Sequence, residues 1–292
     1  MNQESSGNVH ARELRETKTP QGGQERPVGD LFRLDGRTIV VTGGGGFLGT
    51  AAARAILESG GDVVCLDVVP IPRSDNWKPV EKAAAKYGRN LLYVQCSVRD
   101  ADEVAEAFAS IRQQLRSPIR GLVACAGISE NGPSTVFPAA TFRNVLEVNV
   151  TGTFLVAQAV ANELLQTQLS GSLVLIASMS GHVSNRGVDT AAYNSSKAAV
   201  HQLARSLAAE WGSRKGMPLI RVNTLSPGYI RTAISAESMN KPGMKDQWEG
   251  DNMLLRMSTV DEYRAPVLYL LGDGSSFMTG ADLRVDGGHC AW

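Results

Sequence analysis

Short apolar runs alternate with helix-length segments from Leu34 onward, and this alternation constrains the fold more than any other feature of the sequence. Apolar runs rich in β-branched residues are typical of parallel strands that are buried on both faces. Parallel strands need crossover connections, and the intervening segments are long enough to supply them as helices. The predicted strands are Thr38–Thr42, Asp62–Asp67, Leu91–Cys96, Gly121–Cys125, Ser172–Ser178, Ile220–Leu225 and Asp282–Val285. The predicted helices are Phe47–Ser59, Val80–Tyr87, Ala101–Leu115, Ala139–Leu165, Ala191–Trp211 and Val260–Leu271.

The pattern therefore predicts one α/β domain with a doubly wound, Rossmann-type fold, in which helices cover both faces of a sheet of about seven parallel strands. Residues 1–30 hold few apolar side chains and many charges, so we expect a flexible N-terminal tail before a domain over residues 31–292. The longest irregular stretch runs from Pro227 to about Ser258. Long loops in compact domains often cover a binding site, so we expect a substrate clamp here.

Composition excludes several classes of function. The 292 residues include 29 basic and 29 acidic side chains, and this balance gives no sign of a nucleic-acid binder. No stretch approaches the roughly 18 consecutive apolar residues of a membrane span. The 4 cysteines form no C-x-x-C pair and the 4 histidines no close ligand pair, so we expect no metal site. Most of the cysteines lie in apolar runs, which fits reduced, buried thiols in the cytoplasm.

A glycine-rich turn joins the first predicted strand to the first predicted helix. Its glycines, Gly43–Gly46 and Gly49, allow a tight turn and close approach to a pyrophosphate at the helix N-terminus. Asp67 ends the second predicted strand, where a carboxylate can bind both ribose hydroxyls of an adenosine and repel a 2′-phosphate. The turn offers no Lys or Arg for that phosphate, although Arg73 follows soon after. We therefore expect NAD(H) to be favoured, with NADP(H) as the alternative.

Tyr193 and Lys197 lie on one face of a predicted helix, because residues i and i+4 project together. A phenol has an ordinary pKa of about 10, too high for an efficient base near neutral pH. An ammonium about 4 Å away contributes about 4 kcal/mol at an effective dielectric of about 20, equivalent to about three pKa units. We therefore expect Lys197, together with the positive charge of an oxidised nicotinamide, to lower the pKa of Tyr193 into a useful range. Ser178 ends the fifth predicted strand, at the edge where open parallel sheets bind ligands.

In chain order these features resemble the motifs of the short-chain dehydrogenase/reductase family, over Leu34 to Gly288. The matching segments are the glycine turn at 42–49, Cys125-Ala126-Gly127, Asn149-Val150-Thr151-Gly152, Ser178, Tyr193 with Lys197, Pro227-Gly228 and Asp286-Gly287-Gly288. The resemblance implies hydride transfer between a nicotinamide and a carbonyl or carbinol carbon. It implies that Tyr193 is the acid/base and that Ser178 hydrogen-bonds the substrate oxygen. Lys197 would bind the nicotinamide ribose, and Asn149 would hold a water of a proton relay.

The resemblance also implies which residues contact the cofactor. They are Gly43, Gly46, Phe47, Leu48, Gly49, Asp67, Ser97, Val98, Gly127, Tyr193, Lys197, Pro227, Gly228, Ile230 and Thr232. Ser180 is the rival of Ser178 for the serine role. The chain also departs from the usual pattern of the single-domain branch. Gly46 gives the glycine spacing of the extended branch, Cys125 replaces a supporting Asn, and Ser97 replaces an Asp near the adenine.

Within the family, the segments 31–36 and 193–199 and the closing Trp292 resemble polyol/ketose dehydrogenases. This implies a ketose such as a xylulose, sorbose or fructose, or its polyol, as substrate. Four methionines and Trp248 between Ala233 and Met257 instead suit a bulkier apolar metabolite. A dinucleotide-binding sensor without turnover and an epimerase or dehydratase are further alternatives. Family members usually form tetramers through their two long helices, so we expect a cytoplasmic homo-oligomer, a tetramer or dimer, without nucleic-acid or membrane partners.

Overall fold

The computed structural model describes residues 25–231, 239 and 241–292. Most of the predicted tail, residues 1–24, lies outside the described residues, and so do Thr232 and part of the predicted clamp. Close to the start of the described chain, the Arg26 guanidinium pairs with the Asp273 carboxylate at 2.9 Å. A 3₁₀-helix, Val28–Phe32, then leads towards the first strand.

Parallel strands form one sheet in the centre of the domain. They are β1 (Thr38–Thr42), β2 (Asp62–Asp67), β3 (Leu91–Gln95), β4 (Ile119–Ala124), β5 (Gly171–Ile176), β6 (Ile220–Pro227) and β7 (Asp282–Val285). Within the described residues the sheet has 7 strands in the order β3-β2-β1-β4-β5-β6-β7, and every pairing is parallel. The predicted fold class is confirmed, and the strands differ from their predicted bounds only at their ends.

Helices follow the strands along the chain. They are α1 (Phe47–Glu58), α2 (Ser74–Tyr87), α3 (Ala101–Arg112), α4 (Ala139–Leu146), α5 (Thr153–Thr167), α6 (Ala191–Trp211), α7 (Met244–Gly250) and α8 (Arg264–Leu271). Local sequence sets several of their ends. The Asp100 carboxylate accepts hydrogen bonds from the Asp102 and Glu103 amides at the start of α3. Gly88, with a φ of 63°, ends α2 in the left-handed conformation that glycine adopts without strain.

Alternate residues of the central strands pack against two different layers of helices. In β1, Val40 joins the apolar cluster that includes side chains of α3, α5 and α6. Its neighbours Ile39 and Val41 join the cluster formed with α1, α2 and α8. All three are at most 1% exposed. Successive side chains of a strand point to opposite faces, so burial on both faces explains why the strands are continuously apolar in sequence.

The helices depart from their predicted bounds in several places. Helix α3 ends at Arg112 rather than Leu115, and Val260–Tyr263 is a 3₁₀-helix before α8. A π-helical turn, Glu147–Gly152, divides the predicted helix Ala139–Leu165. Helix α2 was predicted to start at Val80 but begins at Ser74 and includes Pro79. Packing outweighs the lost hydrogen bond, because side chains on both sides of the proline belong to the buried core. The stretch predicted to be irregular contains α7, whose Met244 and Trp248 are both buried.

The strand order reverses between β1 and β4, which connect to opposite halves of the sheet. In sheets of this kind the ligand crevice lies outside the carboxyl ends of the strands at that point. Those ends carry the predicted site: the glycine turn follows β1, Asp67 closes β2, Gly127 follows β4 and Ser178 follows β5. Among the described helices, none has the length and apolar character needed to cross a bilayer.

Candidate active site

The glycine turn between β1 and α1 is built so tightly that side chains would not fit. Gly43 has a φ of 61°, and a Cβ there would lie 2.9 Å from the Ala126 amide nitrogen. A Cβ at Gly49 would overlap the Gly43 carbonyl oxygen. Gly46 donates to that same oxygen at 3.0 Å and is the N-cap of α1, which no side chain caps. Phe47 and Leu48 begin the helix, so their amides are available to an anion.

Asp67 lies at the mouth of this turn. Its Oδ2 accepts a hydrogen bond from the Gly45 amide at 2.9 Å, and its Oδ1 accepts one from the Val69 amide at 3.1 Å. The Tyr93 hydroxyl, which donates to the Val69 carbonyl at 2.7 Å, would lie 3.3 Å from a Cβ at Gly45, as would Asp67 Oδ2. The carboxylate is therefore fixed between the glycine turn and the end of β2. The uncapped start of α1 and the glycines before it fit the pyrophosphate of a dinucleotide. The fixed carboxylate of Asp67 fits its adenosine ribose.

Ser178, Tyr193 and Lys197 come together beyond the carboxyl end of β5. Ser178 caps the 3₁₀-turn Met179–Gly181, with its Oγ accepting from the Ser180 amide at 3.1 Å. A side-chain hydrogen bond joins Ser178 to Tyr193. Lys197, one turn after Tyr193 in α6, places its Nζ 5.6 Å from the centroid of the Tyr193 ring. The structure thus brings the three side chains into one group.

The charges in this group differ from the sequence expectation. The ammonium of Lys197 donates to the Ile176 carbonyl at 2.8 Å, so it is directed to the end of β5 rather than to the phenol oxygen. In the protein alone, burial raises the pKa of Tyr193, and the hydrogen bond from Ser178 offsets this only in part. The expected lowering depends on Lys197 together with a bound oxidised nicotinamide, so it stays a prediction for the loaded enzyme. Burial also lowers the pKa of Lys197 to about 8, which leaves it charged at neutral pH.

Asn149 lies in the π-helical turn and is completely buried. Its Oδ1 accepts from the Ile128 amide at 2.8 Å, and its Nδ2 donates to the Ile128 carbonyl at 2.9 Å and to the Ser196 Oγ at 2.9 Å. A Cβ at Gly127 would lie 3.3 Å from Asn149 Oδ1 and 3.5 Å from Lys197 Nζ. Asn149 therefore fastens the turn after β4 to the helix that carries Tyr193 and Lys197. Isolated π-turns are frequent at functional sites.

The remaining predicted cofactor residues lie at two ends of the crevice. Val98 follows β3, and a Cβ at Gly152 would lie 2.6 Å from its Cγ2. The Ser97 amide donates to the Glu103 carboxylate at 2.7 Å. Pro227 ends β6, and Gly228 packs so closely on Asp286 that a Cβ would lie 2.7 Å from its Cα. Ile230 forms an isolated bridge with Ser258. Thr232 lies outside the described residues.

The described part of the predicted clamp has an aromatic and apolar core of its own. The Tyr229 ring stacks on Trp248 with centroids 4.3 Å apart, and Met244 and Met257 are buried beside them. The Asn185 side chain donates to the Tyr229 hydroxyl at 3.3 Å. This contact joins the segment between β5 and α6 to the chain after β6.

Sequence reasoning missed one group of potential metal ligands near Ser178. His182, His201 and Asp282 converge, although they are far apart in the chain and show no ligand spacing. The signal that could have found them is topological. β6 lies between β5 and β7, and its Thr224 pairs with Leu175 of β5 and with Asp282 of β7, so the start of β7 lies near the carboxyl end of β5.

Comparison with known proteins agrees with this architecture. The family model described as enoyl-(acyl carrier protein) reductase matches residues 47–289. A short-chain dehydrogenase/reductase of Aspergillus versicolor, notP′, is 64% identical over 292 residues, which cover 100% of both chains. A ribulose-forming D-arabinitol 2-dehydrogenase of Candida tropicalis is 37% identical over 271 residues, covering 89% of this chain and 95% of that protein.

A solved structure shows the same fold. The NAD⁺-bound xylitol dehydrogenase superposes with a TM-score of 0.76 at 29% identity, over 87% of this chain and 99% of that chain. The family binds NAD(P), and homologues of this chain within it are oxidoreductases that act on alcohol groups. On the sheet order, the glycine turn and these matches, the chain belongs to the short-chain dehydrogenase/reductase family.

Proposed function

We propose that the protein is an NAD(P)(H)-dependent oxidoreductase that interconverts a ketone and a secondary alcohol, with a polyol or its ketose as substrate. The observation that carries this proposal is the grouping of Ser178, Tyr193 and Lys197 beyond β5, beside the crevice of the glycine turn. Relatives named for D-arabinitol, L-xylulose and galactitol support the substrate class.

The chain's own groups supply the acid–base part of the reaction. A bound nicotinamide cofactor supplies or accepts the hydride. In ketone reduction, Tyr193 gives its hydroxyl proton to the substrate oxygen while Ser178 donates a hydrogen bond to the same oxygen. In alcohol oxidation the phenolate of Tyr193 takes the proton back, and Ser178 stabilises that phenolate.

Lys197 and Asn149 prepare the site for this proton transfer. Lys197 is charged at neutral pH and lies beside Gly127, where we propose that it binds the nicotinamide ribose. Its charge favours the phenolate form of Tyr193 in the loaded enzyme. Asn149 fixes the turn after β4 against Ser196, so it positions the wall of the crevice. The water of a proton relay, which the family resemblance implies at Asn149, stays a prediction.

For the cofactor we propose NAD(H), with NADP(H) as the alternative, because Asp67 lies where the adenosine ribose would bind. Replacing Asp67 by Ala should lower the ratio of kcat/KM for NADH over NADPH at least about tenfold, equivalent to about 1.4 kcal/mol. The loss removes both a ribose acceptor and the charge that repels a 2′-phosphate.

A second variant separates these two effects. Asp67→Asn keeps an oxygen that can accept from the Gly45 amide but removes the charge, so it should gain NADPH activity while retaining more NADH binding. Steady-state kinetics with both cofactors checks this. An unchanged cofactor ratio in both variants would count against the ribose contact.

Ser178 should set the pH dependence of alcohol oxidation. Its hydrogen bond lowers the pKa of Tyr193, so Ser178→Ala should move the rising limb of the kcat/KM–pH profile to higher pH. We also expect kcat to fall at least about tenfold, because the substrate oxygen loses a donor. Ser180→Ala is the matched control, since Ser180 contributes only its amide to Ser178. The reverse result, a shifted profile in Ser180→Ala alone, would assign the serine role to Ser180.

The clamp also bears on the substrate class. Met244 and Met257 are only 7% and 3% exposed, so they pack inside the clamp and offer little surface to a ligand. Packing thus explains Met244 and Met257 without a bulky apolar substrate, whereas Met253 is 45% exposed and is not explained in this way.

A substrate screen with NADH and NADPH tests the proposal. Ketoses, polyols and bulkier cyclic ketones should be compared by cofactor absorbance, and we expect the highest kcat/KM with a ketose or polyol. Turnover of the bulky ketones alone would support a ketoreductase of secondary metabolism. Cofactor binding without turnover of any substrate would support a sensor. Sugar isomer formation without net cofactor consumption would support an epimerase.

We further propose a reducing compartment, the cytoplasm, and a homo-oligomer, a tetramer or dimer assembled through α5 and α6. The thiols support the compartment: the cysteines are free, and burial raises the pKa of Cys96 and Cys290 to about 11 and that of Cys125 to about 12. Such thiols are poor nucleophiles at neutral pH. The support for the oligomer is the family resemblance.

A further inference from the structure

A group of three potential metal ligands lies next to Ser178 and takes no part in the proposed reaction. His182 follows the 3₁₀-turn after β5, His201 lies in α6 one turn beyond Lys197, and Asp282 begins β7. One ligand atom of each residue lies within 4.8 Å of the other two. We call these three residues the histidine–aspartate cluster.

The separations within the cluster are close to those of a tetrahedral site. His182 Nε2 lies 2.8 Å from Asp282 Oδ2, and His201 Nδ1 lies 3.7 Å from Asp282 Oδ1. In a tetrahedral zinc site with bonds of about 2.0–2.1 Å, ligand atoms are about 3.3 Å apart. These two distances involve different oxygens of Asp282, and one ligand atom of each residue lies within 4.8 Å of the other two, so the side chains must move closer together to hold one ion.

Outer hydrogen bonds already hold the ligands in place. The hydroxyls of Thr224 and Ser226 donate to Asp282 Oδ1 at 2.7 Å and 2.6 Å. His201 Nε2 lies 3.4 Å from the Ser178 carbonyl oxygen. Metal-binding carboxylates and imidazoles usually have such partners, which fix the tautomer of the ring and orient the ligand atom.

In neutral His201 one ring nitrogen carries no hydrogen, and no neighbouring group of the described chain donates a hydrogen bond to it. If Nε2 carries the proton and donates to the Ser178 carbonyl, the Nδ1 lone pair faces Thr224 Oγ1 at 3.4 Å and the Asp282 carboxylate at 3.7 Å. Thr224 has given its only hydroxyl hydrogen to Asp282. A lone pair that faces two oxygens is stabilised by a cation between them. His182 and Arg205 are the other charged or titratable groups that act on His201.

Packing and access also fit an ion. A Cβ at Gly181 would lie 2.7 Å from His201 Cδ2, so glycine allows the turn after Ser178 to approach the ring. The His201 side chain is 4% exposed and that of His182 33% exposed. An ion can therefore enter from solvent past His182 and become fixed against the buried His201.

We propose that His182, His201 and Asp282 bind a divalent transition-metal ion, with Zn²⁺ as the best match to two imidazoles and one carboxylate. The ion joins the turn after β5, helix α6 and strand β7. Its role is structural: it holds the main chain of Ser178 in place and leaves the reacting atoms to the groups already described. The proposal is independent of the dehydrogenase function, because its test measures bound metal.

The test uses the full-length chain without a polyhistidine tag, freed of metal by dialysis against a chelator. Zn²⁺ is then titrated at pH 7.5 in competition with a chromophoric chelator, and thermal unfolding is followed with and without Zn²⁺. We expect one Zn²⁺ per chain and a higher Tm with the ion. X-ray absorption should show nitrogen and oxygen ligands at about 2.0–2.1 Å and no sulfur.

His182→Ala is the decisive variant, because this exposed side chain can be removed without opening the core. It should bind Zn²⁺ at least about 100-fold more weakly, beyond the 10–100-fold typical of outer-shell changes. His289→Ala, which lies outside the cluster, is the matched control and should bind as tightly as the unaltered protein. Equal affinity in the unaltered protein and His182→Ala, sulfur ligands, or no bound Zn²⁺ would each overturn the proposal.

Discussion

Replacing Tyr193 by Phe is expected to reduce kcat at least about 100-fold in both reaction directions while NADH still binds. The substitution removes only the hydroxyl that hydrogen-bonds to Ser178, and it leaves the ring beside Lys197. In the proposed mechanism the ring and the glycine turn contribute to cofactor binding, but proton transfer to the substrate oxygen depends on the hydroxyl. The measurement is steady-state turnover of the best substrate, together with NADH fluorescence titration of the same variant.

Tyr87→Phe is the matched control for this experiment. Tyr87 ends α2 and is 39% exposed, and the ammonium of Lys86 lies over its ring. The control should keep its turnover, because it loses the same hydroxyl far from the crevice. Near-normal turnover of Tyr193→Phe would reject Tyr193 as the acid/base and, with it, the mechanism proposed for this group.

Replacing Gly49 by Ala is expected to weaken NADH binding at least about tenfold and to lower stability by about 1–3 kcal/mol, the usual cost of overpacking. The added Cβ would overlap the Gly43 carbonyl oxygen, which also accepts the Gly46 amide. To relieve the overlap, the turn must open where the start of α1 would face a pyrophosphate. NADH fluorescence titration and thermal unfolding measure the two effects separately.

Gly29→Ala provides the control, because a Cβ at Gly29 meets nothing within 4 Å. We expect its NADH affinity and Tm to match those of the unaltered protein. If Gly49→Ala were less stable but bound NADH normally, the turn would be structural only. The pyrophosphate site would then have to lie elsewhere along the crevice.

Much of the fold could be predicted from sequence because its strands are buried on both faces. Runs such as Thr38–Thr42 are continuously apolar for that reason, and the glycine turn marks the first crossover. Prediction failed where tertiary packing overrides local preference. Helix α2 starts at Ser74 although it includes Pro79. Helix α7 forms in a stretch without a long periodic signal, and its Trp248 is buried.

The candidate site was predicted in its membership but not in its electrostatics. The spacing of Tyr193 and Lys197 correctly places them on one helix face, yet only the structure shows that the Ile176 carbonyl binds the lysine ammonium. Burial of the phenol is a three-dimensional property, so its effect on the pKa of Tyr193 had no sequence signal. The histidine–aspartate cluster escaped for a similar reason, because Asp282 reaches the two histidines only through the order of β5, β6 and β7.

The π-helical turn Glu147–Gly152 has a consequence for how this chain can vary in length. Each residue of a regular helix turns the chain by about 100° around the helix axis. One additional residue therefore rotates all following side chains by that angle. Deleting a single residue here would restore an ordinary ladder of backbone hydrogen bonds. The same deletion would turn the buried Asn149 amide away from Ile128 and Ser196, so the regular helix would be obtained at the cost of unpaired polar groups and a misaligned crevice wall.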